Sequence, residues 1–523
     1  MSEHSLKSRF KFKLFSNITG VLLGLITMAF IPRALGPENF GKFEFITNNF
    51  KLILDTVTLQ VPVAFFNWVS RKGHKEETDV ASGVTLYFSV IAAVVFALFI
   101  ATTVLTGTHS LLWPGVDAPY LWEAFLFTVI VFLYQLLVFL ADGMSLTVGL
   151  ERIRLLQNVL KAAILLGLVL VGVMNLHSYF LGQIAVMALS VLLSAFWLRK
   201  QNACDGRALA VWTFNRSDIR DYWSFAWHYA KPLTILMAGG FLFLYFDRWF
   251  LQLIGGSVQQ GYFGISDRLG AIAFVFTNAM TPLLTREFAF AHEEKNTERL
   301  VRLFDRIKLF LFIAAVISCF LSAESETIIK LIGGDKFRGA AMPIAIMALY
   351  PIHQTFGQLS GALLMATGQT RLYSRIGLFM LIGSVPITYF LLAPSNFAVP
   401  GLAMGASGLA LKMLLVQFFA TNMQLFCNTR YLGISYAKWL AYQLSMIPAV
   451  YLTAKATSLI SEAVASSFFA DRADDIFANG VAFVGSGLVY CTALLGIIFL
   501  VPRIAGLSRH EISAFKLSAL FKA

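Results

Sequence analysis

The chain has 523 residues, 58% hydrophobic and 13% charged, with a mean hydropathy of +0.72 and a formal net charge of +12. A soluble domain carries charge at roughly 25% of positions, so half that density excludes a water-soluble fold. The 41 Lys and Arg are parcelled into short segments between apolar runs rather than gathered on one stripe, which excludes nucleic acid as the partner of the basic excess.

At the N-terminus Lys7, Arg9, Lys11 and Lys13 precede an apolar run from Leu14 to Ile31. The run is too long for a signal-peptide core and no small-residue cleavage site follows it, so it reads as an uncleaved first span. Further apolar segments recur, each near the length that crosses a hydrocarbon core at about 1.5 Å per residue. Fourteen spans are expected at 14–34, 40–68, 83–106, 121–147, 157–175, 179–198, 223–254, 261–283, 307–322, 342–366, 374–393, 400–427, 439–461 and 480–501. The fold class is therefore an all-α polytopic membrane protein. With the N-terminus inside, about 27 Lys and Arg fall on the inner side and about 6 on the outer, which places both termini in the cytoplasm. An even span number fits that orientation.

The connections are short. The outer segments around Ala323–Ala341 and Glu462–Asn479 have no room for a catalytic domain. The longest inner link, Asn202–Tyr222, carries Trp212, Phe214 and Tyr222 among arginines and reads as a segment lying on the membrane surface. Cys204, Cys319, Cys427 and Cys491 are far apart, so no metal or redox site is expected. No Walker A pattern occurs, so direct drive by ATP is not expected, and no cofactor is implied.

A repeat crosses the central link. Gly36, Gly41, Phe43 and Pro62 match Gly256, Gly261, Phe263 and Pro282 at a constant offset of 220. The stretch Val148–Arg152 resembles Thr367–Arg371 at an offset of 219. Two sets of six spans in one orientation predict a pseudo-two-fold axis along the membrane normal.

Several stretches carry a family resemblance. Ile31–Gly41 resembles the first periplasmic turn of Wzx-type polysaccharide flippases, members of the multidrug/oligosaccharidyl-lipid/polysaccharide exporter superfamily. Phe246-Asp247-Arg248, Gly261-Tyr262-Phe263 and Asp267-Arg268 look like that family's seventh and eighth spans. Ile328–Phe337 resembles its outer amphipathic stretch after span nine, and Leu363–Thr370 its turn after span ten. The resemblance implies two six-helix lobes around a central cavity plus two trailing helices. On this chain that gives an N-terminal lobe at 1–198, a cytoplasmic linker at 199–222, a C-terminal lobe at 223–427, and trailing spans with a cytoplasmic tail at 428–523. It also implies a multi-pass protein of the bacterial inner membrane that is a transporter and not an enzyme. The implied substrate is an oligosaccharide on a polyprenyl diphosphate, flipped from the cytoplasmic to the periplasmic leaflet for O-antigen, capsule or exopolysaccharide synthesis. The implied partners are that lipid-linked oligosaccharide, membrane lipids, and a polysaccharide polymerase with its export machinery.

Charges inside the spans are the residues the pattern itself marks. Lys51, Lys161, Lys231, Arg248, Arg268, Lys412 and Lys455 face Asp55, Asp142, Asp247 and Asp267 in number. Each costs at least roughly 2.5–3.5 kcal/mol at a helix centre unless it meets a partner or water. A basic excess suits a diphosphate, because cations offset its charge and donate N–H groups to its oxygens. Lys51 and Lys412 lie near the midplane and lead the cavity set, which also includes Lys231, Arg248 and Arg268. The competing reading for Lys51 is an i,i+4 pair with Asp55, and for the two arginines an ion-paired stitch of spans seven and eight. Lys231, before Pro232 and beside His228, sits at a plausible hinge. Asp55 and Asp142 are the candidates for a coupling proton or cation. Lys161 reads as structural, and Lys455 as snorkelling outward.

Three functions compete. A cation-coupled multidrug antiporter of the same superfamily expects twelve spans and an acidic cavity. A membrane glycan polymerase or ligase expects a sizeable outer loop. The flippase fits the trailing spans and the basic excess, with a peptidoglycan-precursor flippase as its near variant.

Overall fold

The computed structural model describes residues 6–72, 75–203, 211–272, 274–468 and 476–507. All regular structure among them is helical, and each of the fourteen expected spans falls on helix. Eight described helices are each long and apolar enough to cross a membrane, and a bent pair adds a ninth. The chain divides into two units, Met1–Gly261 and Tyr262–Ala523.

In the first unit, α1 (Leu6–Val57) runs through the first expected span and into the second without a loop. The turn between them is a single residue, Gly36, at φ 76°. A left-handed φ suits Gly alone at low cost, and Pro37 after it starts the next helical segment with its φ already set. The same device recurs in α8 (Arg216–Ala271), where Gly256 stands at φ 68°, 220 residues on. Five residues beyond each turn lies a second glycine, and the two cross. A Cβ on Gly41 would stand 1.7 Å from the Ser257 carbonyl oxygen, and one on Gly261 would stand 2.2 Å from that of Pro37. The contacts are reciprocal, and only glycine lets the two backbones approach so closely.

Between these crossings lie α2 (Val61–Lys72), α3 (Lys75–Leu105), the short α4 (His109–Leu112), α5 (Ala118–Gly143), α6 (Thr147–Leu170) and α7 (Leu176–Lys200). At one end Phe65, Val69, Val84, Leu140, Leu150 and Leu198 enclose Tyr222 and Ala226 of α8. The Tyr222 hydroxyl also hydrogen-bonds Thr85 at 2.5 Å. At the other end Tyr245 and Trp249 of α8 donate to the carbonyls of Leu112 and Leu111, each at 2.8 Å. Span seven is thus fixed at both ends to helices of the first unit.

The second unit holds α9 (Phe274–Glu293), α10 (Thr297–Asp305), α11 (Ile307–Ala323), α12 (Ser325–Ile332), α13 (Ala341–Met347), α14 (Tyr350–Ala366), α15 (Thr370–Leu392) and α16 (Gly405–Leu432). The trailing spans are α17 (Tyr436–Phe468) and α18 (Ile476–Leu500). They share one core with α11 through Trp439, Met446, Val450, Tyr490 and Leu494. Ser486 of α18 also hydrogen-bonds the buried Glu324 carboxylate at 2.5 Å.

Three expectations need correction. The twelfth span begins at Gly405 rather than 400, because the amides of Leu402, Ala403 and Met404 fold back onto the last carbonyls of α15. The fifth ends at Leu170 rather than 175, closed by Gly172 at φ 76° with Val173 N–H bonded to the Leu168 carbonyl. The repeat match at offset 219 is out of register. Gly149 lies inside α6, whereas Gly368 forms a turn at φ 75°, and its counterpart is Ser145 at φ 62°, 223 residues earlier. The helix that follows starts at Thr147 in one unit and Thr370 in the other, at that same spacing.

Candidate functional site

The second span does not run straight. After α1 ends at Val57 the chain turns at Leu59 (φ 52°) and Gln60 (φ 58°), and α2 departs at 62°. Two consecutive non-glycine residues in the left-handed region cost about 1–3 kcal/mol each, so surrounding bonds must hold them. They do. Thr234 of span seven donates to the Leu59 carbonyl at 2.7 Å, and Gln60 Nε2 reaches Met237 Sδ at 2.8 Å. Gln60 Nε2 also lies 3.5 Å from the Asp55 carbonyl oxygen. In transporters a broken helix at membrane depth is tolerated where it lines a cavity or is covered by protein.

The helix leading into this break carries a polar stripe. Glu44, Asn48, Lys51 and Asp55 follow at steps of four, three and four residues, which puts them on one face. Asn48 Nδ2 bonds the Glu44 carbonyl oxygen at 2.7 Å and its carboxylate at 3.3 Å. Glu44 is buried, Asn48 and Asp55 are half-buried, and Lys51 is exposed. Among the described residues the Lys51 ammonium makes no hydrogen bond or ion pair, so the expected i,i+4 pair with Asp55 is not closed. The two remain electrostatic neighbours.

Lys231 stands on the other side of the same junction, one turn before Thr234 in α8, and is exposed. The second span thus breaks against the seventh at Leu59 and Thr234, with Asp55 and Lys51 one and about two turns before the break on α1 and Lys231 one turn before Thr234 on α8. Pro232 lies within α8, whose backbone stays helical there; in span two the positive φ angles are at Leu59 and Gln60.

The remaining residues separate. Arg248 is half-buried and engaged across the Gly256 turn, where its Nη1 lies 3.5 Å from Gln260 Oε1 and Gln260 Nε2 donates to its carbonyl. That arrangement clasps the two arms of α8. Arg268 is half-buried in the last turn of α8, where the helix dipole favours a cation. Asp142 is half-buried in the last turn of α5, at the inner edge rather than in mid-span. Lys412 is only 5% exposed. It sits in α16, whose Thr421 and Asn428 bond α14 at the His353 carbonyl (2.9 Å) and at Ser360 Oγ (2.7 Å). Lys161 and Lys455 are half-buried.

Glu44, Asn48, Gln60 and Thr234 were not singled out from the sequence. The stripe was readable as helical periodicity; the break was not, because neither Leu59 nor Gln60 is a turn-forming residue. Among the described residues no group of three or more His, Cys, Asp or Glu is placed to hold a metal ion. What the site offers is a charged, hydrogen-bonding surface at membrane depth, with two lysines and two carboxylates.

A family model described as polysaccharide biosynthesis protein matches residues 11–286, a little over half of the chain. No curated protein matches. Among solved structures, the chain is similar to the lipid II flippase MurJ in an inward closed conformation, with a TM-score of 0.62 and 14% identity over 94% of this chain and 98% of that one. It is also similar to an inward-facing multidrug resistance MATE family transporter of the MOP superfamily, with a TM-score of 0.59 and 14% identity over 79% and 94%. A MOP superfamily transporter from Pyrococcus furiosus gives 0.52 and 14% over 80% and 93%. At such identities the likeness is one of fold.

Proposed function

Since the chain belongs to the polysaccharide biosynthesis protein family and has the fold of MOP-superfamily transporters, we propose that it flips a polyprenyl-diphosphate-linked oligosaccharide from the cytoplasmic to the periplasmic leaflet of the bacterial inner membrane. The observation that carries this reading is Lys51, an exposed cation at membrane depth with which no described residue closes a hydrogen bond or ion pair. An anion drawn out of the headgroup layer needs its lost hydration replaced, and fixed ammonium groups do that by charge-assisted hydrogen bonds. Lys51 and Lys231 flank the broken span and make the first contacts. Arg248, Arg268 and Lys412 contribute positive potential from within their units. The termini lie in the cytoplasm, and the polymerase that consumes the unit acts on the periplasmic side. Glu44 and Asp55 on the same stripe favour one second reading, a cation-coupled antiporter for cationic drugs.

The test is reconstitution of the full chain in liposomes containing a fluorescent prenyl-diphosphate-linked disaccharide in the outer leaflet. Protein-dependent loss of access to a membrane-impermeant quencher is expected, with no uptake of a cationic dye driven by a proton or sodium gradient. Dye transport without movement of the glycolipid would establish the second reading instead.

A further inference from the structure

The cytoplasmic half of span seven has two faces of different fate. Tyr222, Ala226 and Ala230 are buried in the first unit, whereas Ser224, Trp227, His228 and Lys231 on the opposite face are exposed, Trp227 by 41%. Their spacing of three, one and three residues puts all four on one patch about two turns long. Lys231 lies ten residues beyond Asp221, about 15 Å along the axis. A lysine on a helix leans towards the N-terminus, so its ammonium overhangs the turn that carries Trp227 and His228. His228 Nδ1 lies 2.7 Å from the Ser224 carbonyl oxygen. A carbonyl only accepts, so Nδ1 carries the proton, and in the neutral tautomer of that geometry Nε2 is left as an acceptor. Among the described residues neither a hydrogen bond nor an ion pair engages the Lys231 ammonium.

A tryptophan alone would suit the lipid headgroup layer. An unneutralised lysine one turn deeper, beside an imidazole with a free acceptor, does not suit acyl chains, since each such charge costs roughly 2.5–3.5 kcal/mol there. The patch instead matches the parts of a glycosyl diphosphate, which has an anionic centre next to a pyranose ring with an apolar face and a rim of hydroxyls. We propose that Ser224, Trp227, His228 and Lys231 form a capture station for that headgroup on its way to the broken span. Lys231 takes the diphosphate, Trp227 stacks against the ring proximal to it, and His228 Nε2 accepts from a sugar hydroxyl while Ser224 supplies a second polar contact. The station rests on the flippase reading and adds to it a sugar-contacting platform. Thr234, one turn further along, already touches the break, so a diphosphate leaving Lys231 is next to Lys51's side of the junction.

Binding of two probes to the purified full chain in detergent micelles tests this: geranyl diphosphate and its glucosyl derivative, glucosyl geranyl diphosphate. The wild-type chain should prefer the glucosylated probe. Lys231→Gln should weaken both by about tenfold, the scale of one hydrogen bond to a charged group. Trp227→Ala should weaken only the glucosylated probe, by about tenfold, and Trp227→Phe should recover most of that loss. All variants should elute as the wild-type chain does on size exclusion. If Trp227→Ala leaves both affinities unchanged, or lowers both equally, the capture station is wrong, and the flippase reading survives provided Lys51→Ala still weakens both probes. If the wild-type chain binds neither probe, the flippase reading fails and the station fails with it.

Discussion

Lys51 lies fourteen residues beyond Pro37, where its helical arm begins, and Lys412 seven residues beyond Gly405, about 21 and 10 Å along their helices, and the structure treats the two in opposite ways. Lys51 is exposed beside a broken helix, with half-buried polar neighbours and no counter-charge closed upon it. Lys412 is 5% exposed in an unbroken α16 that packs tightly on α14 and α15. Further along the same helix run interhelical hydrogen bonds, Thr421 to the His353 carbonyl and Asn428 to Ser360. The difference lies in what covers the polar face. In the first unit the chain turns away at Leu59 and Gln60, and the stripe before the turn stays open. In the second, α16 packs on α14 and α15 and Lys412 is buried. A charge inside a span is therefore weak evidence of function; an uncovered face is stronger.

If that contrast is real, removing the two charges should fail in different ways. Lys51→Ala should cut export of surface glycan by about 100-fold or more, as expected when a charge-assisted contact to a substrate is lost, with the amount of protein in the membrane unchanged. Lys51→Arg should keep part of the export, since it keeps the charge but changes its geometry. Lys412→Ala should instead lower the amount and thermal stability of the protein, because removing a buried, engaged polar side chain leaves its partner unsatisfied at a cost of about 1–3 kcal/mol. Immunoblots of membranes beside a glycan-export assay separate the two. Normal levels of Lys412→Ala with export lost would put Lys412 with Lys51 and break the comparison.

Labelling sharpens it with a smaller, purely geometric readout. In a chain whose Cys204, Cys319, Cys427 and Cys491 are replaced by Ser, Lys51→Cys should react with a membrane-impermeant maleimide on inside-out vesicles. Lys412→Cys should react at least about tenfold more slowly, because a buried thiol is shielded from the aqueous reagent. Equal rates would mean that α16 opens as readily as the broken span does.

How much of this was legible in the residues follows from the same contrast. The helical class, the spans and the glycine turns were readable, because hydropathy and a left-handed φ leave direct marks: long apolar runs, and Gly36 and Gly256 at one spacing. The register of the later repeat was misread, because Gly149 and Gly368 share a residue type but not a backbone role. The break at Leu59 and Gln60 left no mark at all. Its strain is held by Thr234 and Met237, some 175 residues away in sequence, and local propensity carries no information about such a partner. For the same reason the contact of Arg248 with Gln260 across the Gly256 turn could not be read from the residues beside it.

Lys455 provides the smallest expected effect and decides whether the comparison concerns place or merely charge. It is half-buried in α17, nineteen residues after that helix begins at Tyr436, which is about 28 Å along the axis and hence near the outer interface. From there a four-carbon stem carries the ammonium to water while its methylenes stay against apolar surface. Removing it costs no buried charge and opens no cavity in the core shared with α11, whose members on α17 are Trp439, Met446, Val450 and Ala454. Lys455→Ala should therefore leave export within about twofold of wild type and change stability by no more than about 0.5 kcal/mol, the range for surface substitutions. A loss comparable to that of Lys51→Ala, at normal protein level, would mean that any intramembrane lysine serves the substrate. The uncovered stripe on α1 would then have no claim over the other lysines.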